Sequence, residues 1–202
     1  MTKKIVFALT VILINVKLVS AQTLSIGPMV GVNVSTIVAD PTTKYLPGLS
    51  IGGFANYSID SHWGLSGKLL YSQLGDKSKT IDNHTRLHYI QLPVTGVYYF
   101  GNEGQKFRPK VFAGLYAGAL LQANNGNGDV VIQSDGSKAY NDFDFGGLAG
   151  LGFNYRLKSR TWLNVDAGFN RGFTDITKTS NTNYNNLAFN LNVGVSFPIS
   201  KN

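Results

Sequence analysis

The sequence has no cysteine in 202 residues, and only 14% of its residues are charged. Without thiols there is no disulfide framework, no thiolate metal site, no cysteine nucleophile and no lipid-modified cysteine anchor. The low charge sets the chain apart from soluble domains, in which roughly 25% of residues are charged. Apolar runs of the ~20 residues needed for a membrane helix are also missing. Yet 43% hydrophobic residues are too many for a disordered chain. Glycine (23 residues) and aromatics (12%) are abundant instead. The length suits one domain, or at most two small ones.

The N-terminus reads as an export signal. Lys3 and Lys4 precede an apolar core over residues 5–14, and Val19-Ser20-Ala21 supplies small residues at a cleavage site before Gln22. Residues 1–21 are therefore expected to be removed between Ala21 and Gln22, leaving 22–202 as one domain. Loss of Lys3, Lys4 and Lys17 lowers the formal charge from +7 to +4. The remaining Lys and Arg are scattered, which argues against nucleic acid as a partner.

From residue 23 onward, alternation with a period of two recurs eight times, over 23–35, 48–59, 62–74, 86–100, 107–121, 143–157, 161–172 and 187–199. In the last segment Leu187, Phe189, Leu191, Val193, Val195, Phe197 and Ile199 oppose Ala188, Asn190, Asn192, Gly194, Ser196 and Pro198. Eight strands of this length predict an all-β fold, an antiparallel up-and-down transmembrane barrel with apolar residues outward and small polar residues inward. Short connections near 60–61, 101–106 and 158–159 alternate with long ones over 36–47, 75–85, 122–142 and 174–186, placing short turns in the periplasm and long loops outside.

Aromatic residues on the outward phase form two girdles. Tyr57, Trp63, Tyr98, Phe100, Phe107, Phe153, Tyr155 and Phe197 fall near the short-turn rim, and Tyr71, Phe143, Phe145, Phe169 and Phe189 near the other. Trp162 breaks the phase and points inward. A soluble lipocalin-type barrel would reverse the faces, but its exterior would then be Ser, Gly and Asn with few charges.

An eight-stranded barrel has room inside for side chains only. Lys68 and Asp166 fall at similar depth on the inward phase, so a lumen network with Gln91, Asn164 and Asn192 is expected, because buried charges need partners. Chemistry is harder to find. The histidines are His62, His84 and His88, and only His88 with Ser72 could suggest a lipid-cleaving pair; both are counted here as inward. The Asn- and Gly-rich stretch 124–135 lacks the spaced acidic ligands of a calcium loop. No catalytic, cofactor-binding or metal-binding set emerges.

The stretch Tyr89-Ile90-Gln91-Leu92-Pro93 followed by Val97-Tyr98-Tyr99-Phe100 resembles a pattern of the PorT-like outer-membrane β-barrel family, as do 109–121, 144–155 and 31–35. The sequence departs from that family in having Gln91 where Glu is usual and Val97 where Lys is frequent. Asn192, Gly194, Phe197 and Ile199 resemble the terminal signal read by the barrel-assembly machinery. The resemblance implies a non-enzymatic barrel with a structural role, or an interaction role in envelope integrity or secretion. Its expected partners are outer-membrane lipid, lipopolysaccharide, the assembly machinery and envelope or secretion proteins. A lipid-modifying enzyme and a small ligand carrier or pore are the alternatives.

Overall fold

The computed structural model describes residues 24–38, 42–80, 82–133, 135–158, 160–178 and 183–199, so Ala21 and Gln22 lie outside the described residues. Eight strands follow one another: β1 (Leu24–Val38), β2 (Thr43–Ser58), β3 (Trp63–Ser78), β4 (His84–Tyr99), β5 (Phe107–Asn125), β6 (Phe143–Lys158), β7 (Thr161–Gly172) and β8 (Asn185–Pro198). Each pairs antiparallel with the next, and β8 returns to β1, closing the barrel. Closure runs from Ser25 opposite Pro198 to Val38 opposite Asn185.

The outward phase is as the alternation predicts. Val30, Val32, Leu49, Ile51, Leu69, Leu92, Leu115 and Leu151 are all exposed, while their alternates turn into the lumen. Such an exterior is wrong for water and right for hydrocarbon.

Two connections differ from expectation. The segments 36–47 and 75–85 are mostly strand, and the actual gaps are residues 39–42 and 79–83. Above the aliphatic band the outward side chains become polar (Gln73, Lys77, Arg86), which made the sequence resemble loop. Their inward alternates stay apolar, with Ile37, Leu46, Leu74 and Leu87 all buried. These strands run past the band into water while their inner face still packs. Only 126–142 and 173–184 remain long connections on this rim.

Glycine makes the narrow interior possible. A Cβ on Gly150 would lie 2.5 Å from the Phe112 ring, and one on Gly146 would lie 2.5 Å from Tyr116. Gly194 similarly makes way for Phe54, whose ring would be 2.6 Å from its Cβ. Bulky fillers thus sit opposite missing side chains, as tight lumen packing requires. At the opposite end, Asp60 accepts the backbone N–H groups of His62 and Trp63, each at 2.7 Å, and closes the β2–β3 turn. The Trp63 and His62 amides hold its carboxyl below the usual carboxylate range.

Filling one of these gaps should destabilise the barrel. Gly150→Leu should cost about 1–3 kcal/mol by overpacking against Phe112, measured as a lower urea midpoint for unfolding from lipid vesicles. Gly67→Ala, whose new Cβ meets nothing within 4 Å, should leave the midpoint unchanged.

Candidate membrane belt and lumen ion cluster

The middle of the lumen holds three charges. Lys68 Nζ from β3 lies 2.7 Å from Asp166 Oδ2, and Lys110 Nζ from β5 lies 2.6 Å from Asp166 Oδ1. All three side chains are buried. Lys110 reaches Asp166 across β6 because the residue between them is Gly152, which pairs with both. A Cβ at Gly152 would sit 2.9 Å from Asp166 Oδ1. Lys68 also lies 5.4 Å from the centroid of the Phe112 ring, a cation–π contact. One carboxylate therefore bridges two ammonium groups, leaving a net positive charge in the barrel centre.

The other polar residues expected in this network form separate groups. Asn164 joins Asn56 (3.2 Å) and Ser196 (3.0 Å) nearer the short-turn end. Asn192 accepts from Ser50 (2.8 Å) and donates to Asn190 (3.1 Å). Gln91 is buried, but its Nε2 has no hydrogen-bond partner among the described residues. The single network thus resolves into separate clusters at different heights: Asn164 with Asn56 and Ser196, Asn192 with Ser50 and Asn190, and the two lysines with Asp166. Lys110 was absent from the expected set. Its inward phase could be read from the sequence, but its height against Asp166 depends on the stagger between strands.

Both mouths are occupied. At the short-turn end Arg108 stacks on Tyr99 (4.9 Å) and Arg156 on Trp162 (5.7 Å). Trp162 does point inward, pairing with inward Ser196. At the other end Asp144 accepts from Tyr116 (3.0 Å), Asn186 (2.8 Å) and Thr174 (3.1 Å). Above it Ile176, carried by the β7–β8 connection, is fully buried with Ile37, Leu74, Leu87 and Tyr89. Two loops are tied over this plug: Asn141 donates its backbone N–H to Ile176 O (2.8 Å), and its side chain donates to the carbonyls of Asp175 and Thr177.

Outside, the girdle residues meet as rings. Trp63 lies 5.0 Å from Tyr98, which lies 5.1 Å from Phe100, and Phe107 lies 5.2 Å from Phe153 on the same rim. Phe197 is exposed on this rim, on the outward phase it shares with Tyr57 and Tyr155. On the other rim Phe169 contacts Phe189 at 5.3 Å, and Phe143, Phe145 and Tyr71 face outward. Tyr45, which falls in the loop expected over 36–47, and Phe173, just beyond the strand expected over 161–172, join this girdle through Phe189 and Phe145. In β8, Asn192 and Gly194 face the lumen, whereas Phe197 and Ile199 are exposed beside β1, where Ile199 N donates to Leu24 O.

His88 requires a correction. It points outward, alternating with buried Leu87 and Tyr89, and its Nδ1 lies 2.5 Å from the Tyr71 hydroxyl. Ser72 is buried in the lumen, so the wall of the barrel separates the two. No group of three or more His, Asp or Glu side chains among the described residues is placed to hold a metal ion.

A closed antiparallel barrel of eight strands with an aliphatic exterior, aromatic rims and a packed polar core is an integral outer-membrane barrel. The chain belongs to the family described as outer membrane protein beta-barrel domain, which it matches over residues 20–178. Its fold is similar to OprG from Pseudomonas aeruginosa, at 15% identity and a TM-score of 0.55, covering 90% of this chain and 97% of that one. It is also similar to Neisserial surface protein A, at 16% identity and a TM-score of 0.54, covering 86% and 96% respectively. Among curated proteins none matches the sequence.

The ion cluster predicts unequal effects of neutralising its members. Asp166→Asn strands two buried ammonium groups and should cost about 3–5 kcal/mol. Lys110→Met leaves the neutral Lys68–Asp166 pair and should cost distinctly less. Equilibrium urea unfolding from lipid vesicles measures both, and equal losses would contradict the bridging role of Asp166.

Proposed function

We infer that the protein is a non-enzymatic outer-membrane barrel of PorT-like type, acting as a structural element or as a platform for envelope or secretion partners. In this reading the termini and short turns face the periplasm and the two long, interlocked connections face outward. Residues 1–21 serve as the export signal. The β8 set Asn192, Gly194, Phe197 and Ile199 serves recognition by the assembly machinery.

The observation that carries the reading is the filled lumen. Arg–aromatic stacks stand at one mouth, an ion cluster occupies the middle, and a buried isoleucine closes the other mouth. Among the described residues both mouths and the middle of the lumen are taken up by side chains, which supports the exterior and the outer loops as the working surfaces. A pore or carrier would need that packing removed. The lipid-modifying alternative rests on His88 with Ser72, and it is Tyr71 rather than Ser72 that stands beside His88.

Purified protein reconstituted in planar bilayers should show no sustained ion conductance, whereas discrete open-channel steps would point to a pore. Folded protein extracted from outer-membrane fractions should migrate faster on gels before boiling than after it. Protease added to intact cells should cut within 126–142 or 173–184 and spare the short turns.

A further inference from the structure

We propose that the outer-rim surface of β3, β4 and β5 is a binding site for a phosphorylated, acylated lipid of the outer leaflet, with Arg86 as its phosphate contact and the Leu121–Val130 groove as its acyl contact. This rests on the membrane orientation inferred above.

On most strands the outward apolar face stops at the outer girdle. β3 passes from Tyr71 to Gln73, β4 from Ile90 to His88 and Arg86, and β7 from Phe169 to Arg171. On β5 it continues. The register slips between His88 and Tyr89, so that Leu121 is an extra residue and both Leu121 and Gln122 lie exposed. The chain beyond β5 then folds back on it: Val131 N donates to Ala123 O (2.9 Å), and Asn124 bridges to Val130. A groove of about 80 Å³ lies between strand and returning chain; exposed Leu121 and Val130 line its outer side with Gln122, Lys138 and Asp142, while Leu120 packs inward against the buried Ile176 cluster. The apolar strip is therefore continuous with the membrane belt and rises above it on this side. Its occupant in a membrane is an acyl chain.

The neighbouring strand supplies charge. His88 pairs in register with Gln122, and Arg86 with Asn124. Arg86 donates to Gln73 Oε1 (2.9 Å), a neutral acceptor, and forms no ion pair among the described residues. Of the carboxylates on these strands and the chain beyond them, Asp142 pairs with Lys138 at 2.5 Å and Asp82 with Lys77 at 2.8 Å, and Asp76, next to the register partner of Arg86, falls on the inward phase of β3 that it shares with Leu74. Gln73 holds the guanidinium along the outer surface with other N–H donors unused by that bond, and the Tyr71–His88 pair extends the polar flank toward the belt. A guanidinium on β4, one strand from the apolar strip of β5 and held toward β3 by Gln73, complements a phosphate whose acyl chains lie along that strip.

The test uses the full folded barrel in neutral detergent, titrated with bisphosphorylated lipid A and with phosphatidylethanolamine and followed by native mass spectrometry. Lipid A should be retained at least roughly tenfold more tightly than phosphatidylethanolamine. Arg86→Gln should remove most of that preference, and Leu121→Asn should weaken both lipids. Lys158→Gln on the opposite rim should change neither. Equal retention of the two lipids, or an unaltered preference in Arg86→Gln protein that still shows heat-modifiable mobility, overturns the site while leaving the membrane reading intact. Protein that never shows heat-modifiable mobility in membranes overturns both.

Discussion

Hydrocarbon offers no partner to a backbone N–H or C=O, and closure of β8 onto β1 follows from that constraint. Ile26, Val30, Val32 and Val34 of β1 oppose Phe197, Val193, Leu191 and Phe189 of β8, so the last strand in the chain meets the first with its backbone groups satisfied and its apolar face outward. An open edge would leave a row of donors and acceptors in lipid, at a cost of several kcal/mol for each unsatisfied group. With eight strands, closure gives a cylinder too narrow to stay empty. The choice of inward residues, from glycine gaps to buried lysines, answers that geometry.

Inside the cylinder the difficulty becomes one of charge. An isolated ammonium group is expensive to bury, and two side by side repel. Asp166 resolves both by presenting one oxygen to Lys68 and the other to Lys110. The arrangement works only because Gly152 leaves the space between Lys110 and Asp166 open. A side chain there would interrupt the bridge and strand a cation. The ion cluster and the glycine pattern are thus one device, with packing and electrostatics decided at the same position.

Most of the fold was legible in the sequence because lipid imposes a strict alternation. Each strand between the girdles carries aliphatics on one phase and Ser, Asn or Gly on the other, and a period of two needs no knowledge of neighbours. Legibility failed where the solvent changed. Gln73, Lys77 and Arg86 belong to strands in water, and their polar outward phase resembled a loop even though Leu74 and Leu87 kept the inward phase apolar. It failed again where position along the barrel axis mattered. The phase of Lys110 was visible, but its contact with Asp166 depends on the register of two strand pairs. His88 was placed on the wrong face although it shares the parity of outward Ile90 and Leu92. The bulge that exposes Leu121 and Gln122 together leaves no mark on the alternation of β4.

The strand extensions link the closed lumen to the outer surface. Raising β1–β5 above the aliphatic band puts Ile37, Leu74 and Leu87 at a height where the β7–β8 connection can lower Ile176 among them. The same extension lifts Arg86 and the folded-back chain beyond β5 above the aliphatic band. If the strands stopped at the girdle, the plug would have no apolar ring to enter, and Val130 would have no strand to pack beside. Sealing the interior and building the outer rim are therefore consequences of one structural choice, which moves the protein's available contact surface to the outside of the barrel.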